Sequence, residues 1–137
     1  MVNFFQRHIY LKIFSILSID LFIVLVSLPL AYLIRTEDFF LYSKNFDINI
    51  HALLCISYVI LFFLRNLHLE SLRYFNVVTF FNYLILYILI FIIFILYDFF
   101  VKKNYEVLRS IPVIFFFVAF GSSVLFRVMI SRILTLK

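Results

Sequence analysis

The sequence predicts an all-α membrane protein: four transmembrane helices with both termini in the cytoplasm. Three observations lead there. Of 137 residues, 66% are apolar and only 14% charged, whereas a soluble domain is about half apolar and about a quarter charged. A globule this small hides only about two-thirds of its chain surface, so water would meet much of that apolar excess and lipid removes the problem. The third is the placement of Lys and Arg at the ends of the apolar runs, where such residues set topology and meet anionic headgroups.

Residues 1–12 are mixed. Phe4, Phe5, Ile9 and Leu11 alternate with Gln6, Arg7, His8 and Lys12, which reads as a short interfacial segment with snorkelling basic side chains. Residues 13–34 form the first span. At about 1.5 Å per residue they cross a hydrocarbon core of about 30 Å. This run is too long for the apolar region of a signal peptide, and no small-x-small cleavage site follows it. Pro29 is expected to kink it near its far end. Residues 35–47 make an external polar-aromatic loop, with Asp47 read as the N-cap of the next helix.

The second span, 48–64, is near the short limit for crossing. Residues 65–76 follow as a cytoplasmic segment. Leu69, Leu72 and Phe75 recur every three residues while His68, Glu70 and Arg73 fall on other faces. That spacing suits an amphipathic helix lying on the membrane; an ordinary loop is the alternative. The third span, 77–100, ends at Asp98, Lys102 and Lys103, and Asp98 with Lys102 has helical ion-pair spacing. Residues 101–110 form an external turn. The fourth span, 111–130, carries Pro112 in its first turn, where a missing N–H costs nothing. Residues 131–137 exit to the cytoplasm.

Orientation follows from counting basic residues by side. Arg7, Lys12, Arg65, Arg73, Arg127, Arg132 and Lys137 share the termini's side; Arg35, Lys44, Lys102, Lys103 and Arg109 take the other. Seven against five favours cytoplasmic termini.

Catalytic constellations are absent from the residues. Gly121 is the only glycine, so neither a dinucleotide fingerprint nor a P-loop exists. The three histidines (His8, His51 and His68) lie in different segments. No G-x-S-x-G elbow occurs, and no Tyr is followed four residues later by Lys. No catalytic, cofactor-binding or metal-ligating residue is assigned, and this chain alone is not expected to be an enzyme. The basic residues form no block interleaved with aromatics, so nucleic acid is rejected as a partner. The single Cys55 sits in an apolar run and reads as a packing residue.

Two charges lie inside apolar runs. Asp20 is about seven residues into the first span, roughly 10 Å deep, and Arg127 is near the end of the fourth. A charge at the bilayer centre costs about 2.5–3.5 kcal/mol on insertion scales. With both termini on one side the two stand at similar depth, and they are expected to pair. A proton or cation site at Asp20 is the functional alternative. Gly121-Ser122-Ser123 is a small-residue patch that lets helices approach, either within the bundle or at a homo-oligomer face. Tyr10, Tyr32, Tyr97 and Tyr105, near run ends, read as an interfacial belt.

The order of these features resembles the N-terminal membrane region of bacterial polysaccharide biosynthesis proteins, the membrane-bound nucleotide-sugar 4,6-dehydratase (nucleoside-diphosphate sugar epimerase) family. Asp20-Leu21 leading to Leu33-Ile34-Arg35 is similar to its first helix. Leu72-Arg73-Tyr74 is similar to its L-R-Y segment. Arg109-Ser110-Ile111-Pro112-Val113-Ile114, running to Gly121-Ser122-Ser123 and Arg127, is similar to its fourth helix. Two positions depart: Ser122-Ser123-Val124 replaces the usual Gly-Ser-Arg, and Asn66-Leu67-His68 replaces a Gly-Tyr-Arg.

The resemblance implies a multi-pass anchor in a bacterial inner membrane. It implies that the anchor precedes a cytoplasmic catalytic domain, in the same chain or a separate one, which binds NAD(P) and dehydrates a nucleotide-linked sugar. A small GtrA-like flippase of lipid-linked sugars is the competing reading, and an accessory subunit of a larger complex is a third. Small multidrug transporters also use an acidic residue in the first helix, but they are glycine-rich.

Overall fold

In the computed structural model the described residues are 2–37, 48–67, 75–101 and 110–136. They form four helices: α1 (Val2–Thr36), α2 (Ile48–Leu64), α3 (Val77–Val101) and α4 (Ser110–Thr135). The all-α class is therefore correct.

The helix ends have local causes. Asn76 caps α3: its Oδ1 accepts from both the backbone N–H and the hydroxyl of Thr79, each at 2.9 Å, which satisfies one of the orphan donors of the first turn. At the end of α2, Asn66 takes a left-handed conformation (φ 54°), a role asparagine fills with little penalty. This turn drives the next side chain, Leu67, into the core at 1% exposure. Within the helices, Ser15, Ser18, Ser27 and Ser57 each donate to the carbonyl four residues earlier. That bond lets a hydroxyl exist where no water is available.

Helix α1 is continuous from Val2, through Pro29, to Thr36, so residues 2–12 join the first span without a break. Apolar and polar residues alternate through its first turns, but nothing there breaks a helix. The chain has no Gly or Pro before Leu28. Helix α4 likewise runs five residues past the expected limit of 130, to Thr135.

The helices form a ring in which α1 packs on α2, α2 on α3, α3 on α4, and α4 back on α1, with the α1–α4 contact the most extensive. Consecutive helices are antiparallel. Arg65 at the end of α2 reaches Asn82 near the start of α3, and Phe94 late in α3 stacks on Phe115 early in α4, centroids 5.5 Å apart. This up-and-down order places both termini at one end of the bundle.

Each helix turns a stripe of side chains inward at four-residue spacing. In α2 the stripe is Ile50, Leu54, Tyr58 and Phe62; in α4 it is Ile111, Phe115, Ala119, Ser123 and Arg127. The outward faces are equally apolar: Phe22, Ile56, Phe117, Leu125 and Met129 are each more than half exposed. A water-soluble protein does not present such a surface on all sides, whereas hydrocarbon solvates it. Helices α1, α3 and α4 contain stretches long and apolar enough to cross a membrane. Helix α2, with 17 residues, is apolar but shorter, at about 25 Å.

Candidate functional site

The inward stripes bring a polar cluster into the middle of the ring. Asp20 of α1, 1% exposed, meets Arg127 of α4, 5% exposed. The Arg127 Nη2 donates to Asp20 Oδ2 in a buried ion pair. Tyr58 of α2 donates its hydroxyl to the same oxygen at 2.5 Å. The guanidinium carbon of Arg127 lies 3.8 Å from the centroid of the Tyr83 ring of α3, a cation–π contact that gains strength without water. All four helices thus contribute to one charge-neutral knot.

The spacing explains why these side chains meet. Tyr83 and Tyr87 are four residues apart on α3, as Ser123 and Arg127 are on α4, so each pair shares a helix face. Tyr58 and Tyr87 approach with ring centroids 6.1 Å apart. Ser123, on the same face of α4 as Arg127, has no exposed surface. Depth follows from helix length. Tyr58 and Tyr83 each lie six residues, and Arg127 eight, from the end of their helices nearest the termini, about 9–12 Å. Asp20 lies near the middle of α1.

Asp20 and Arg127 are therefore in direct contact. The small-residue patch divides between faces of α4. A Cβ built on Gly121 meets nothing within 4 Å, Ser122 is exposed, and only Ser123 faces inward. One residue in four of a helix faces a given neighbour, so three consecutive small residues cannot all serve one interface. The aromatic belt also changes: Tyr10 is 69% exposed, but Tyr32 is buried at 7% in the core. Asp47, Lys102, Tyr105 and the amphipathic pattern over 68–74 lie outside the described residues.

Tyr58, Tyr83 and Tyr87 had drawn no attention in the sequence. Their signal was position: tyrosines in the middle of apolar runs, where a hydroxyl needs a partner. Among the described residues, no group of three or more His, Cys, Asp or Glu could hold a metal ion.

Comparison with known proteins gives no match to a family model, to a curated protein or to a solved structure.

Proposed function

We propose that this chain is a membrane anchor, the bundle that holds a cytoplasmic catalytic domain of a nucleotide-sugar 4,6-dehydratase (epimerase-type) protein at a bacterial inner membrane, in the service of surface polysaccharide synthesis. NAD(P) belongs to that catalytic domain, and no residue of the bundle handles substrate. The resemblance of the first and fourth helices to that family suggests the parent activity. One observation favours an anchor over a conduit: the intramembrane charges are spent on each other. Asp20 accepts from both Arg127 and Tyr58, which ties the first helix to the last. A transporter's carboxylate must instead be free to exchange its ligand.

Cell fractionation tests the proposal. Host membranes should carry nucleotide-sugar dehydratase activity that moves to the soluble fraction when the segment encoding this chain is deleted. An unchanged distribution, together with lipid-linked sugar accumulating on the cytoplasmic leaflet, would overturn the anchor in favour of a flippase.

A further inference from the structure

The four helices do not end level on the side of the termini. Counted from the knot, Tyr58, Tyr83 and Arg127 lie six, six and eight residues from the nearby ends of their helices, but Asp20 lies 18 residues from Val2. At about 1.5 Å per residue, α1 overhangs its neighbours by about 15–18 Å. Burial agrees: residues 7–12 are all exposed, and going along the helix from there Ile16 is the first buried side chain. We propose that this overhang is a docking surface for anionic phospholipid, with Arg7 and Lys12 holding phosphate groups and the apolar side chains around them lying against the upper acyl chains.

The distribution of side chains decides the occupant. Ile9, Tyr10 and Leu11 are consecutive and 56%, 69% and 57% exposed. Successive residues of a helix point about 100° apart, so these three cover most of its circumference. A protein partner covers one face of a helix, whereas a lipid layer surrounds it. Charge narrows the chemistry further. Arg7 and Lys12 are exposed, and no Asp or Glu precedes Asp20 in the chain. A second copy placed here meets like charge, while a lipid phosphate meets attraction. Along one outward line Arg7 is followed at helical spacing by Leu11, Phe14, Phe22 and Leu25, all of them exposed. The cation thus stands at the end of an apolar track, as a phospholipid carries its phosphate above its chains. The surface needs no attached catalytic domain, and it makes the bundle selective for the lipid around it.

The test uses the full chain with Cys55→Ala and a fluorophore on Ser15→Cys, about one turn from Lys12. It is reconstituted in phosphatidylcholine vesicles doped with phosphatidylglycerol or phosphatidylcholine that carries a nitroxide near the top of an acyl chain. Labelled phosphatidylglycerol should quench more than labelled phosphatidylcholine, with a binding preference of about fivefold per engaged cation at low salt. The preference should shrink as salt rises. Arg7→Gln/Lys12→Gln should bring the two lipids to parity without changing the melting temperature, because both side chains are exposed. A fluorophore on Glu37→Cys, at the other end of α1, should show no preference. Equal quenching by the two lipids at Ser15→Cys overturns the proposal, as does a preference that survives the double variant. Quenching by neither lipid puts water or a protein partner around the overhang and overturns it as well.

Discussion

A carboxylate held at 1% exposure in a bundle surrounded by hydrocarbon persists only with a partner, and Asp20 has two. Removing one half of such a pair leaves an uncompensated buried charge, whereas replacing both by apolar groups of similar volume is often nearly neutral. Asp20→Asn should therefore lower unfolding stability by about 3–5 kcal/mol. The double variant Asp20→Leu/Arg127→Met should recover most of that loss. Denaturant titration in detergent measures both, and a double variant no better than the single one would show that the two groups act independently. Tyr58→Phe removes a single hydrogen bond to the carboxylate and should cost only about 1–2 kcal/mol. A larger loss would mean that the Tyr58 hydroxyl orients the whole knot.

At the scale of the helix, the same four-residue stripe that places Arg127 also separates Gly121 from Ser123. Gly121→Ala meets no neighbour within 4 Å and should stabilise α4 by up to about 1 kcal/mol through helix propensity alone. Ala119, with no exposed surface, sits on the packed stripe; Ala119→Leu should destabilise by about 1–3 kcal/mol through overpacking. Thermal melts of the two variants in one detergent compare them directly, and a loss at Gly121 equal to that at Ala119 would place a partner on the glycine face. The four helices were legible in the sequence because apolar runs bounded by charge have no other stable solution in lipid. The depth match of Asp20 and Arg127 was legible for the same reason, since an up-and-down bundle puts the first and last helices side by side. The rest was hidden. In helices apolar all round, the inward face leaves no periodic mark, so neither the burial of Tyr32 nor the convergence of Tyr58, Tyr83 and Tyr87 could be read. Mixed polarity over residues 2–12 gave no sign that α1 is continuous, because helices stop at backbone breakers and lost hydrogen bonds.

For the whole molecule, the ring places both termini at one end, and the distribution of charge gives that end a side of the membrane. In the sequence, Arg35, Lys44, Lys102, Lys103 and Arg109 stand in or beside the first and third connecting segments with Glu37, Asp38, Asp47, Asp98 and Glu106, a balance of zero. The rest of the sequence holds seven basic residues against Asp20 and Glu70, which accounts for the entire formal charge of +5. Arg7, Lys12, Arg65 and Arg132 are all exposed there. Anionic lipids of the cytoplasmic leaflet attract such residues by about 1 kcal/mol each near the surface, and translocating them is resisted. On that ground both termini are expected on the cytoplasmic side. The one native thiol, Cys55, is half-buried within α2 and can be replaced by alanine, which clears the background for single reporter cysteines. In that background, His8→Cys and Thr135→Cys should resist a membrane-impermeant maleimide applied to intact cells and react only after permeabilisation. Glu37→Cys, at the opposite end of α1, should react at once. Labelling of His8→Cys and Thr135→Cys from outside would invert the bundle, leaving its fold intact but placing any domain attached to it on the wrong side for a cytoplasmic nucleotide sugar.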